Sequence, residues 1–227
     1  MKTHLFAFIT LLGAAHVAIA SDEQPKESGI ESDGYVWNEM YAEKLQALKT
    51  RGDALRGEIA FEICQGCHRP TATGRVDGSY PRLAGQHATV LIKQMTDVRA
   101  GRRDNRKMFP FIDKHAVSPQ EIADIAAYLS GLPVNPDNGK GGGDKLARGQ
   151  AIYDKGCADC HGDKGEGDAE KFYPRVSGQH YRYLLRESLM IRDGERRNAN
   201  PHMVRVIKNY SDEDIAAVSD YMSRFTP

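Results

Sequence analysis

Cys-x-x-Cys-His occurs twice in this chain, as Cys64-Gln65-Gly66-Cys67-His68 and as Cys157-Ala158-Asp159-Cys160-His161, and no cysteine stands elsewhere. The surroundings of the two motifs repeat as well. "RGEIAFEICQGCH" from Arg56 answers "RGQAIYDKGCADCH" from Arg148, with Gly156 as an inserted residue. "YPRLAGQH" from Tyr80 to His87 answers "YPRVSGQH" from Tyr173 to His180, and "SPQEIADIAAYLSGL" from Ser118 answers "SDEDIAAVSDYMSRF" from Ser211, both at an offset of 93. An offset held across separate segments is the mark of a duplicated unit. Between the copies, residues 131–145 read "GLPVNPDNGKGGGDK", whose Gly, Pro and Asn favour turns and extended chain. The chain therefore divides into an N-terminal extension over 21–51, a first domain over 52–132, a linker over 133–144 and a second domain over 145–227.

Residues 1–20 are set apart from the fold. Lys2 and His4 precede an apolar run from Leu5 to Ala15, and Ala18-Ile19-Ala20 has the small-x-small pattern of a cleavage site. This is the layout of a secretory signal peptide cut after Ala20, which places the mature protein in the periplasm of a bacterium. No later apolar run reaches spanning length, so a soluble protein that does not span the membrane is expected. Without Lys2 the charge is 30 basic against 31 acidic residues. That balance excludes a nucleic-acid binder, which needs a basic surplus. Two domains of this size have thin cores, and each needs something further to hold it.

Helical signals dominate each half. Leu55, Ile59 and Ile63 fall on one helix face before the first motif. Leu91, Gln94, Met95 and Val98 mark a second helix, with Leu184, Ser188 and Ile191 in the other copy. Ser118 with Glu121, and Ser211 with Asp214, predict capping boxes that open the last helix of each half. Ile122, Ile125, Ala126 and Leu129 form the buried stripe that follows. In the extension, Trp37, Met40, Tyr41, Lys44, Leu45 and Leu48 have helical spacing and predict a helix packed back on its domain or a dock for a partner. No sustained alternating pattern occurs, and the fold class is all-α.

Four chemistries use paired cysteines. A structural zinc site needs two pairs about 15–20 residues apart, whereas Cys67 and Cys157 are 90 apart and in different copies. Disulfides need no histidine after the second cysteine. A thioredoxin-like pair needs a strand and helix context that is absent. Covalent haem attachment accounts for every residue: two thioethers hold the porphyrin and the adjacent His68 or His161 becomes the proximal iron ligand. Two haem c groups are expected, on Cys64 and Cys67 and on Cys157 and Cys160. A buried porphyrin also supplies the apolar centre that the thin cores lack.

For the sixth iron position the first half offers Met95, Met108, His87 and His115, and the second Met190, Met203, Met222, His180 and His202. A duplicated site should use matching residues. Met108 and Met203 stand 40 and 42 residues after His68 and His161, in polar stretches read as non-helical; His87 and His180 also match, each 19 residues on. The methionines are preferred, because a thioether is a soft ligand commonly paired with histidine in this chemistry. The histidines can instead serve the first turn of the following helix.

These residues resemble the periplasmic diheme cytochromes c of the c4 type, two class I cytochrome c domains in tandem. The likeness covers about 52–227 and rests on both Cys-x-x-Cys-His motifs, the two Tyr-Pro-Arg segments and the methionine after an Arg- and Asn-rich stretch. It implies a domain wrapped around one haem in each half, His/Met ligation, haems facing one another across the interface, and electron carriage rather than enzymatic turnover. It further implies that the carbonyls of Pro81 and Pro174 hold the proximal histidines, and that Gly57 and Gly149 permit a close helix crossing near Tyr128 and Tyr221. The implied partners are redox proteins: a quinol-oxidising complex, a periplasmic dehydrogenase or a terminal oxidase. Two rival readings remain, a haem subunit that accepts electrons within an oxidoreductase, for example one acting on a sulfur compound, and a diheme enzyme.

Overall fold

The structure, a computed structural model, describes residues 23–226; the expected leader over 1–20 lies outside the described residues. Among these residues the regular structure is helical, apart from one isolated antiparallel bridge between Asp168 and Tyr173. The extension carries α1 (Ala42–Lys49). In the first half α2 (Ala54–Ala60) passes through a 3₁₀ turn (Phe61–Cys64) into α3 (Gln65–His68), followed by α4 (Ala88–Arg99), α5 (Phe109–Ile112) and α6 (Pro119–Gly131). The second half repeats this plan as α7 (Leu146–Gly156), α8 (Ala158–His161), α9 (Tyr181–Arg192), α10 (Pro201–Ile207) and α11 (Asp212–Ser223). No helix among the described residues is long and apolar enough to cross a membrane.

Each half is organised by one crossing of its first helix over its last. A Cβ on Gly57 would lie 2.0 Å from the carbonyl oxygen of Asp124, and one on Gly149 would lie 2.2 Å from that of Ala217. Glycine therefore lets backbone meet backbone, beside Tyr128 in one half and Tyr221 in the other, as the resemblance implied. The Asp124 carboxylate latches the first crossing: it accepts from the Asp53 amide at 2.7 Å and from Arg56 Nε at 2.8 Å. Both expected capping boxes form, Ser118 with Glu121 and Ser211 with Asp214.

The buried stripe of α6 (Ile122, Ile125, Ala126 and Leu129) packs with Phe61, Leu91, Met95 and Val98 into the core of the first half. The second half is stitched by aromatics: the Tyr153 ring meets those of Tyr221 and Phe225 at centroid separations of 5.8 and 4.9 Å.

One helix reading needs correction, and the bounds of another are narrowed. Leu55, Ile59 and Ile63 do not face the core; they are 77 %, 69 % and 45 % exposed. The buried side of this helix is set by Gly57 and Phe61, because only the glycine allows contact with α6, and the aliphatic stripe faces away from α6. In the extension, helix covers only Ala42–Lys49, and it packs back on the first half as expected: Lys44 and Ala47 are buried and Leu48 packs against the core, whereas Met40 and Leu45 are exposed. An ion pair overrides the apolar pattern here: Lys44 Nζ lies 2.7 Å from the buried Asp97 carboxylate.

Adding a methyl group at either crossing should force the helices apart. Gly57→Ala and Gly149→Ala are each expected to cost at least 1–3 kcal/mol, by the usual price of overpacking. In a domain of this size that is roughly a 10 °C fall in the thermal midpoint, readable by circular dichroism.

Candidate haem-binding sites

Each Cys-x-x-Cys-His is a single helical turn. Cys64 precedes α3 and Cys157 precedes α8, so the second cysteine and the histidine follow three and four residues on, which is the spacing of neighbours on one helix face. The four thiols are free of one another and partly buried. Burial, and then the neighbouring thiol, push Cys64 and Cys157 up to about 11. Among the described residues no three His, Cys, Asp or Glu side chains converge as a metal cluster.

The histidines are prepared as neutral ligands. His68 Nδ1 lies 3.2 Å from the carbonyl oxygen of Pro81, and His161 Nδ1 lies 3.0 Å from that of Pro174. The ring N–H donates there and leaves the Nε2 lone pair uncommitted. Burial holds both imidazoles below their ordinary range; the proline carbonyls oppose it, and for His68 the charge of Arg103 adds to it. A neutral ring fixed through Nδ1 is the arrangement an iron-ligating histidine requires.

Met108 is half-buried at the N-cap of α5, where its amide donates to the carbonyl and side-chain oxygens of Asn105 at 3.0 and 3.2 Å. Met203 does not lie in the irregular stretch expected for it; it sits within α10, because Pro201 opens that helix and the Asn200 side chain caps it. Met95 and Met222 are core residues at 5 % and 6 % exposure, and His115 and His202 are exposed.

The other matched pair, His87 and His180, is committed elsewhere. His87 Nε2 lies 2.8 Å from the carbonyl oxygen of Glu166, and His180 Nε2 lies 2.7 Å from that of Thr73. His180 Nδ1 also accepts from the Gly139 amide at 3.0 Å. Neither side chain caps its own helix, contrary to the role expected at the start of α4 and α9.

These histidines belong to a seam with twofold pseudo-symmetry. The Gln179 amide accepts from the Arg82 backbone N–H at 2.9 Å and donates to the Arg82 carbonyl at 3.0 Å. The Gln86 amide pairs with the backbone of Arg175 in the same way, at 2.9 Å in both directions. Each glutamine thus imitates one residue of a β-ladder with the opposite half. The sequence reading singled out the Tyr-Pro-Arg segments without assigning these glutamines; their identity in both copies was the available signal.

Buried charge fills the rest of the seam. Arg103 and Arg196, only 13 % and 17 % exposed, both reach Glu187 Oε2, at 3.0 and 2.9 Å. Both also donate to Gln94 Oε1 at 3.1 Å, and Gln94 stands 93 residues before Glu187. Lys44 and Lys93 share Asp97. Burial pushes Lys93 down to about 8 despite that carboxylate. With the more exposed Arg186, which also pairs with Glu187 at 3.1 Å, five cations thus share two carboxylates along the seam, an imbalance that is costly unless further anions balance it. Haem c carries carboxylates of its own, so this donor set fits an acidic porphyrin beside the thiols, the neutral imidazoles and the thin cores.

Comparison with known proteins agrees with this geometry. The family model "Cytochrome c" matches residues 54–133 and again 146–225. Cytochrome c4 of Azotobacter vinelandii is 33 % identical over 190 residues, which is 75 % of this chain and 88 % of that protein. The thiosulfate dehydrogenase electron acceptor of Stutzerimonas stutzeri strain A1501 is 32 % identical over 189 residues, 78 % of this chain and 84 % of that one. The crystal structure of reduced recombinant cytochrome c4 from Pseudomonas stutzeri aligns with a TM-score of 0.67 at 28 % identity, over 77 % of this chain and all of that chain (100 %). With one haem c on Cys64 and Cys67 and a second on Cys157 and Cys160, the chain belongs to the cytochrome c family and is a two-domain diheme protein of the c4 type.

Proposed function

We propose that this protein is a periplasmic electron carrier in which His68 and Met108 ligate the first iron, and His161 and Met203 the second. The observation that carries the reading is the matched pair of neutral imidazoles, each fixed through Nδ1 to a proline carbonyl. The haem supplies a reversible one-electron change at its iron when bound. The chain supplies the rest: cysteines that anchor, histidines that stay uncharged, one methionine at the start of a short helix and one within another, and a bonded seam that keeps the two sites at a fixed separation for internal transfer. All four cysteines belong to the attachment motifs, so no spare thiol serves as a catalytic nucleophile, which favours a carrier over an enzyme. Domain limits of 52–132 and 145–227 joined by a linker over 133–144 follow from the repeat offset, and export follows from the leader pattern over 1–20.

The partners are redox proteins such as a quinol-oxidising complex, a periplasmic dehydrogenase or a terminal oxidase. A second reading makes the chain the electron-accepting partner of a dehydrogenase that acts on a sulfur compound. The relative named as a thiosulfate dehydrogenase electron acceptor favours it.

Redox titration should resolve two one-electron steps at positive potential, since His/Met ligation favours the ferrous state; strongly negative midpoints would exclude methionine at both irons. Met108→Ala and Met203→Ala should each remove about half of the iron–sulfur absorption band at the red end of the oxidised spectrum, and an unchanged band in either variant rejects that ligand. Replacing Gln86 and Gln179 together by alanine removes four hydrogen bonds across the seam. At about 1 kcal/mol each, this should split a single calorimetric unfolding transition into two.

A further inference from the structure

Residues 23–50 lie outside the stretches matched by the family model, yet they make ordered contacts with both halves. Their targets are specific. Two loops precede the matched methionines: residues 100–107 follow α4 and lead to Met108, and residues 193–200 follow α9 and lead into the helix of Met203. The extension bonds to both.

The Gln24 side chain ties the first loop to the last turn of α4. Its Nε2 donates to the carbonyls of Val98 and Arg103, each at 2.8 Å, and its Oε1 accepts from the Asn105 backbone amide at 3.0 Å. Asn105 in turn receives the Met108 amide on both its backbone and side-chain oxygens. Gln24 is therefore two hydrogen bonds away from the backbone of Met108. Beside it the carbonyl of Pro25 lies against Gly101, where a Cβ would sit 1.6 Å away, and Gly101 has a φ of +72°.

The second loop is held a few residues on. The Ile30 amide donates to the Arg197 carbonyl at 2.8 Å, and Tyr35 Oη donates to the Ala199 carbonyl at 3.2 Å. These bonds flank Asn198 and adjoin Asn200, the cap of the helix that bears Met203. Arg197 closes the arrangement, pairing with Glu31 at 2.6 Å and donating to the Gly101 carbonyl of the first loop at 2.8 Å. Trp37 then stacks on Tyr173 at a centroid separation of 6.2 Å, and Lys44 enters the buried Asp97 site. The extension is thus tied down on both sides of the seam.

We propose that residues 24–35 form a strap that positions both methionine loops, with Gln24 as the positioning residue for Met108 and Tyr35 as that for Met203, so that the strap slows loss of the methionine from each iron. The proposal rests on the ligand assignment above. Irons whose methionine loops are held should exchange the thioether for an external ligand slowly; loosening one loop should speed exchange at that iron alone.

The test is cyanide displacement in the oxidised full-length holoprotein, followed at the iron–sulfur band. Gln24→Ala should accelerate one of the two displacement phases about tenfold, the factor for about 1.4 kcal/mol of lost loop anchoring, and leave the other unchanged. Tyr35→Phe, which loses a single bond, should accelerate the other phase by about three- to fivefold. Met108→Ala, measured in parallel, identifies the phase that belongs to the first iron and tests the ligand assignment separately. If Met108→Ala removes half the band but Gln24→Ala leaves both phases at the parent rate, the strap proposal is overturned while the ligand stands. An intact band in Met108→Ala overturns both. Should Gln24→Ala fail to retain its helical circular dichroism or its haem, Gln24→Glu decides by the same rates, because it keeps the acceptor for Asn105 and loses the two donors; parent rates there again overturn the strap.

Discussion

The segment from Tyr80 to His87 and its twin from Tyr173 to His180 do two things at once. Each proline carbonyl fixes the imidazole of its own half, and one residue later the arginine backbone pairs with a glutamine side chain of the other half. The imidazole of each attachment motif and the seam that joins the domains are thus anchored on adjacent peptide units. A shift of one half against the other would pull on the proline carbonyls, and a tilt of either ring would be felt at the seam. Peptide planarity makes this coupling short and stiff.

Around that frame, polar chemistry displaces the packing that a small helical domain ordinarily relies on. Lys44, Lys93, Asp97, Arg103, Arg196 and Glu187 occupy space where apolar side chains would normally sit. The Asp97 carboxyl feels burial raising its pKa, but the two lysines overcome it and hold the group below its usual range. For Glu187 the same contest is won by Arg103, Arg196 and Arg186. Such a cluster is costly to bury unless its charges stay paired and hydrogen-bonded.

What the sequence revealed, and what it hid, follow one division. The all-α class, the duplication, the attachment cysteines and the capping boxes could all be read because each depends on local spacing or on similarity between the copies. Tertiary contacts reversed the local patterns elsewhere. Leu55, Ile59 and Ile63 have the period of a buried face, yet the glycine on the other side decides which surface meets α6. Lys44 falls in the helical series read for the extension, but nothing in that spacing names its partner, Asp97 on α4. Gln86 and Gln179 lie in the most similar stretch of the two halves, but their partners are backbone atoms about 90 residues away, and no one-dimensional pattern names a backbone partner. Met203 is singled out in the sequence by its match to Met108, but the helix it rides on begins at a proline within its own copy and has no equivalent proline before Met108.

The glutamine–backbone pairs also speak to origin. Because the same bonds run in both directions, the contact is isologous, the kind made by two identical subunits about a twofold axis. Two separate single-domain chains could have met through it before they were fused. Tethering by a short glycine-rich connection then raises the local concentration of one lobe at the other to a level no free pair would reach in dilute solution. Once that advantage exists, perfect self-complementarity is no longer required, and one copy can hold Gln94 where the other holds Glu187. Fusion thereby leaves two once-equivalent lobes free to diverge in sequence around one shared clasp.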